Sequence, residues 1–392
     1  MTSKQRLETA WSFQEPDRVP IELKIGNEAQ EDPRAERLVQ LIEEHADNFV
    51  GGPAYDWGFL GWPAEYAEQV LEHCPGEFIR RERKYETPAG PFTAIVREPD
   101  TDESAPDCHW EKRFITSPQD IERLLEAPLR IGPPKWAAFE GAVAKVGNKG
   151  LVTTGILHPL GRLVRNATME EVYIWFIEHR ELMHRFLEVT NDHVARVVSE
   201  LMRGGIGPYF SVTAHEMLIP PWAGMKFFEE FVFPYDKQVN DVVHRNGGKL
   251  RIHCHGNAMN YLERFAEMGV DAIEPLEAPP MGDVDLAEAK RRVGDRMLLS
   301  GNIASPYFPL WSRQEVEEAV REAIRVAAPG GGFTLRTTGG TAGTNAFRSR
   351  EQLGKIIENC EAYILAGLEY GAYPISTNSG TDYEILRYLA ST

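Results

Sequence analysis

The fold this sequence predicts is a (β/α)8 barrel, a TIM barrel, carrying an insertion between its early strands. Three observations lead there. From about residue 150 onward, short β-rich runs alternate with amphipathic helical patterns, which is the signature of a parallel sheet covered by helices. Adding two early runs brings the strand candidates to eight. Polar and ionisable side chains recur at the C-terminal ends of these runs, where a barrel of this kind builds its site.

Taken in order, residues 3–13 read as a helix stopped by Pro16, followed by a buried strand at 18–23. Residues 33–46 place Leu38, Leu41 and Ile42 at helical spacing, and 48–50 form a weaker strand ended by Gly51-Gly52-Pro53. Residues 60–149 lack a regular rhythm and read as an irregular insertion or lid, with a hairpin at 84–96 and an acidic loop at 98–107. The later strands fall at 150–156, 207–212, 249–255, 271–275, 297–300 and 332–336. Helices are expected at 169–190, 190–203, 225–245, 258–268, 284–292, 313–328 and 350–367. The whole chain, 1–392, reads as one barrel domain. An open doubly wound sheet is the competing layout, but no Gly-x-Gly-x-x-Gly loop follows the first strand.

Composition narrows the function. A formal charge of −17 with no concentrated basic patch argues against nucleic-acid binding. No apolar run reaches membrane-spanning length, and the start of the chain has no signal-peptide core. The four cysteines, Cys74, Cys108, Cys254 and Cys360, are scattered, so a disulfide framework is not expected and a reducing cytoplasmic setting is.

The most informative motif is Arg251-Ile252-His253-Cys254-His255-Gly256-Asn257. Strand alternation puts His253 and His255 on one face and turns Cys254 to the other, so two imidazoles can grip one metal ion or one acidic group. A catalytic zinc takes three protein ligands and keeps an open position. A carboxylate must complete such a set, and Glu216, Glu274 and Glu277 are the candidates, with Glu216 preferred. The other strand ends offer Lys24, Trp57, His158, Tyr209, His215, Trp222, Asn257 and Arg336. His215, together with Glu216 and His255, is a candidate proton-handling group. The remainder are candidate substrate contacts, aromatic rings for stacking and cations for a carboxylate.

Several of these segments resemble the uroporphyrinogen decarboxylase superfamily. They are Gln14-Glu15-Pro16-Asp17-Arg18-Val19-Pro20, the run 227–235, His253-Cys254-His255-Gly256-Asn257, the run 267–273, and Gly301-Asn302-Ile303. The resemblance implies a barrel and two main activities: cofactor-free decarboxylation of a tetrapyrrole, and zinc-dependent methyl transfer involving corrinoid proteins. The decarboxylases of that superfamily carry an arginine-rich segment after the first strand; here that place reads Leu23-Lys24-Ile25-Gly26-Asn27. In the methyltransferases, zinc is held by a His-x-Cys pair and a later Cys. This chain has His255 in place of the first Cys and Gly339 near the place of the later one. Mixed Glu and His ligation in some demethylating relatives suits Glu216, His253 and His255 as the set. The resemblance thus leads to an enzyme moving a methyl group from a small donor, such as a methoxylated aromatic, to a corrinoid (cobalamin) carried on a partner protein, with Zn2+ as Lewis acid. It also implies a homodimer. A metal-free decarboxylase or lyase acting on an acidic substrate is the second reading. A non-catalytic barrel that binds a tetrapyrrole or small acid is the third.

Overall fold

The computed structural model describes residues 1–100 and 108–375, so most of the expected acidic loop, 101–107, lies outside the described residues. Among the described residues there are twelve strands: β1 (Ile21–Glu22), β2 (Asn48–Gly52), β3 (Glu65–Cys74), β4 (Phe78–Thr87), β5 (Gly90–Pro99), β6 (His109–Lys112), β7 (Gly150–Gly155), β8 (Tyr209–Val212), β9 (Lys249–Cys254), β10 (Ala272–Pro275), β11 (Leu298–Ile303) and β12 (Phe333–Thr337). Eight of them form one parallel sheet in the order β1-β12-β11-β10-β9-β8-β7-β2. Each coincides with an expected strand, and the sheet curls into a (β/α)8 barrel.

The seam between β1 and β2 is closed by side chains as well as backbone, because β1 is only two residues long. Asp47 donates its N–H to Ile21 O (2.7 Å) and accepts the Ile21 N–H on Oδ2 (3.0 Å). Asn48 accepts from Leu23 N–H (3.1 Å) and donates Nδ2–H to Leu23 O (2.9 Å). Lys24 adds a bond from Nζ to Phe49 O (2.6 Å). Backbone groups that a longer ladder would pair are satisfied in this way.

The N-terminal helix Ser3–Trp11 plugs the bottom of the barrel. Leu7, Ala10 and Trp11 are buried against Phe49, Leu151, Ala272 and Leu298. Tyr209, expected to contact substrate, is the first residue of β8 and so lies at this lower end. It stacks on Trp11 (5.1 Å, 24°) and donates its hydroxyl to Glu8 Oε1 (3.2 Å). Tyr209 is therefore a plug residue, far from the face where the strands end.

The insertion is not irregular. Strands β3–β6 form a separate antiparallel sheet in sequential order. Its charges are matched across strands: Glu68 and Glu98 each pair with Arg81 and Arg83. Phe92, buried in β5, meets Phe59 at 5.0 Å and joins the sheet to the main core. Further differences lie among the helices. Residues 180–203 form one helix, with the break at His179 and not at Thr190. Thr190 is tolerated inside that helix because its hydroxyl donates back to Phe186 O (2.6 Å).

Outside the barrel, His244 Nε2 lies 2.8 Å from Asp271 Oδ2, an oxygen that also accepts the Leu250 N–H (2.7 Å). The Asp271 hydrogen bond raises His244 above its ordinary 6.5. A histidine raised on folding stabilises fully below its unfolded pKa and loses that contribution as pH rises through the folded value. As pH rises from below 6.5 through the raised folded value, the stability difference between the native chain and His244→Gln should therefore shrink, as urea unfolding at a series of pH values would register.

Candidate active site

The barrel interior is ionic where other barrels of this fold stack branched apolar side chains. Alternation along β9 turns Arg251 and His253 inward and Leu250, Ile252 and Cys254 outward. The register then sets Glu274 beside His253, Ser300 beside Thr334, and Arg336 beside both Glu22 and Asn302. Glu22 is the hub. It accepts from Arg251 Nη2 (2.8 Å), Ser300 Oγ (2.6 Å), Thr334 Oγ1 (2.7 Å) and Arg336 Nη1 (3.0 Å). Burial pushes the Glu22 carboxyl up, but Arg251 and Arg336 more than offset this and hold it below its usual value.

One layer higher, Glu274 Oε2 lies 2.8 Å from Arg336 Nη2 and 3.1 Å from His253 Nδ1. The charges of Arg336 and Arg251 outweigh its burial, so Glu274 stays ionised well below the usual carboxylate range. Arg336, expected as a substrate anchor, is already shared between Glu22 and Glu274. Lys24, the other expected anchor, spends its ammonium on Phe49 O.

His255 stands at the mouth. Its Nδ1 lies 2.9 Å from Glu277 Oε1, while Glu277 Oε2 accepts the Gly256 N–H (2.9 Å). Glu277 raises the His255 pKa and is itself lowered, with His255 the main cause opposing its burial. The two imidazoles sit 4.5 Å apart at 80°. Each thus turns Nδ1 to a carboxylate, and among the described residues neither Nε2 takes a hydrogen-bond or ion-pair partner.

Glu216 follows β8 on a tight turn, with Oε1 3.5 Å from Arg165 Nη2 and Oε2 buried without a partner. It contributes to the negative field felt by His255, along with Glu277 and Glu274. Backbone strain is concentrated beside these carboxylates: Ala214 has φ +95° and Leu276 φ +59°, immediately upstream of His215-Glu216 and Glu277. Trp57 donates Nε1–H to Gly155 O (3.1 Å) at the end of β7. Trp222 is exposed on the loop after β8, and Asn257 is half-buried just beyond β9.

His158 and His215 do not join this group. Both lie behind the sheet, beside a cavity of about 20 Å³ lined by outward-facing Leu250 and by Val239 and Asn240 of the helix Phe233–Arg245. Their Nε2 atoms each sit 3.0 Å from Asp236 Oδ2. Among the described residues this is the one set of three metal-ligating atoms within 4.8 Å of one another; Glu216, His253 and His255 do not meet that spacing. The close set is nevertheless unsuited to a metal. Gly161 N–H donates to His158 Nδ1 (3.0 Å), so that nitrogen carries no proton and Nε2 must carry it, facing Asp236. A metal at Nε2 would need the opposite tautomer. Cys254 is excluded as well, buried on the outward face with its thiol pushed far up by burial.

By donor chemistry, though not by the spacing of the three side chains as they stand, the groups around His253 and His255 suit zinc. Imidazoles whose Nδ1 faces a carboxylate and whose Nε2 is open are the usual form of a histidine ligand, and the orphaned Glu216 oxygen supplies the remaining donor type. Gly339, where the resemblance led to the expectation of a missing ligand, donates its N–H to Ser305 Oγ (3.0 Å), and a Cβ there would meet that oxygen at 2.8 Å. No ligating side chain fits at 339 without displacing Ser305.

Sequence reasoning missed Glu22, Arg251, Ser300, Thr334 and Asp236. Arg251 was reachable, since the alternation that aligns His253 with His255 aligns Arg251 too. Asp236 had no local signal.

Residues 112–344 match the family model for uroporphyrinogen decarboxylase (URO-D). A uroporphyrinogen decarboxylase of Crocosphaera subtropica is 29% identical over 38% of this chain and 40% of its own length. That of Microcystis aeruginosa is 28% identical over 37% of this chain and 39% of its own. The matched segment therefore spans about 40% of the length of these relatives. A solved methyltransferase from Methanosarcina mazei shares the fold, with a TM-score of 0.58 and 16% identity over 94% of this chain and 99% of that one.

Proposed function

We propose, for a chain that belongs to the uroporphyrinogen decarboxylase family, that it is a methyltransferase acting at the mouth of its barrel. The observation that carries this reading is the pair His253 and His255, each with a carboxylate oxygen within 3.1 Å of Nδ1 and an open Nε2; Glu216, whose Oε2 has no partner and whose charge reaches His255, is assigned as the third donor. Zinc would be held by these three residues, and when bound it supplies Lewis acidity that eases the departure of a poor leaving group such as an ether oxygen.

The chain's own residues do the rest. Glu274 and Glu277, with an oxygen 3.1 and 2.9 Å from the Nδ1 atoms, favour a proton on that nitrogen of each ring, which would leave each Nε2 lone pair as the donor. Trp57 and Trp222 offer ring faces to a methoxylated aromatic donor, and Asn257 an amide for a polar substituent. A corrinoid, carried on a partner protein in the cytoplasm, is the methyl acceptor in this reading. Among the described residues no helix is long and apolar enough to cross a membrane.

Decarboxylation of an acidic substrate is less well supported. That chemistry needs cations free to meet carboxylates, and here Arg251 and Arg336 are matched by Glu22 and Glu274. The deciding experiment pairs metal analysis of the purified chain with methyl transfer to added cob(I)alamin, followed by absorbance. About one zinc per chain together with methylation is expected; an active, metal-free protein would remove the zinc mechanism.

A further inference from the structure

We propose that the buried His158–Asp236–His215 set is a positioning clamp for Glu216, an inference that rests on the reading of Glu216 as a metal ligand. All three side chains are nine-tenths buried or more, and one carboxylate oxygen takes both imidazoles at 3.0 Å. Burial alone would push the Asp236 carboxyl up; the two imidazoles more than reverse that.

The clamp spans three elements. His158 caps the helix Pro159–Asn166, Asp236 rides on the helix Phe233–Arg245, and His215 opens the turn that carries Glu216. Gly161 links two of the contacts. Its N–H fixes the His158 tautomer, and its bare Cα lets the helix approach the Ala214 turn so closely that a Cβ would meet Ala214 Cβ at 2.3 Å. The turn itself is tight and strained. Ala214 is left-handed at φ +95°, Met217 N–H donates to Ala214 O (3.2 Å), and Leu218 N–H donates to His215 O (2.9 Å).

A left-handed alanine persists only when its surroundings hold it. With His215 tied to Asp236 and Ala214 pressed by Gly161, the peptide entering Glu216 has little freedom. The side chain is then held with a buried, unpartnered Oε2 and with its charge felt by His255, a costly arrangement for an isolated surface turn. The cluster that looks most like a metal site by spacing thus serves the site on the other side of the sheet.

The test uses the full chain and a double-mutant cycle of Asp236→Asn with Glu216→Gln. Two readouts are taken: zinc affinity by chelator competition, and amide hydrogen exchange over residues 213–218 in the metal-free chain. Asp236→Asn should speed exchange in that turn by about tenfold or more while the barrel strands stay protected. It should also weaken zinc binding by about 10- to 100-fold in the native background and have little further effect in Glu216→Gln. Unchanged exchange overturns the clamp. An equal loss of affinity in both backgrounds overturns its action through Glu216. A native chain that binds no zinc sinks the methyl-transfer reading instead, and the exchange comparison alone then decides the clamp. Should Asp236→Asn fail to fold, His158→Asn keeps the helix cap and removes one arm, and it should move both readouts in the same direction.

Discussion

Replacing Glu22 with alanine is expected to destabilise the fold by about 3–5 kcal/mol, measured by urea unfolding. The carboxylate is 3% exposed and neutralises Arg251 and Arg336, which approach within 2.8 and 3.0 Å. Its loss leaves two guanidinium groups inside the barrel with only Glu274 between them, and strands Ser300 and Thr334 without their acceptor. Leaving one member of such a pair buried is costly because desolvation is no longer compensated. The loss should be greatest near neutral pH. A carboxylate lowered on folding stabilises above its unfolded pKa, and that contribution disappears as pH falls through the folded value, which here lies below 4.5. The native chain and Glu22→Ala should therefore converge in strong acid. A variant as stable as the native chain at pH 7 would show that the ionic interior is not what holds β1 to its neighbours.

The double substitution His253→Ala/His255→Ala is expected to leave folding intact and abolish zinc retention, with methyl transfer falling by about 100-fold or more. Both rings are partly solvent-exposed, at 26% and 38% of the side chain, so little packing is lost. What is lost is two of three donors. Circular dichroism and unfolding would report an unchanged fold beside the missing metal. Retained zinc would mean that other residues hold it.

Much of this was legible in the sequence. The eight barrel strands could be read because buried parallel strands are short apolar runs between helices, and the run 249–255 announced its paired histidines through alternation. The four-stranded insertion could not be read so easily. Strands β3 and β4 carry Glu68, Arg80, Arg81 and Arg83 on surfaces that are partly or wholly at solvent, so no apolar alternation marks them; β5 does alternate, with Phe92, Ala94 and Val96 buried, and the expected hairpin at 84–96 falls on β4 and β5. Tyr209 was misplaced because β8 has only four residues, and one at its start lies at the opposite end of the barrel from one just after it. His158 and His215 sit at strand ends as expected, yet their partner Asp236 is 78 and 21 residues away on a helix. No spacing rule reaches that far. Glu22 was visible only as a single carboxylate in the apolar run Pro20-Ile21-Glu22-Leu23, a mismatch that in hindsight marks the hub.

The central claim is that two imidazoles and a carboxylate, with no thiolate, hold the metal of this barrel. X-ray absorption at the zinc edge of the loaded chain tests it most directly. Nitrogen and oxygen scatterers at about 2.0–2.2 Å, with an imidazole signature, are expected. A sulfur scatterer at about 2.3 Å would contradict it, because it would put Cys254 into a site from which its strand face excludes it.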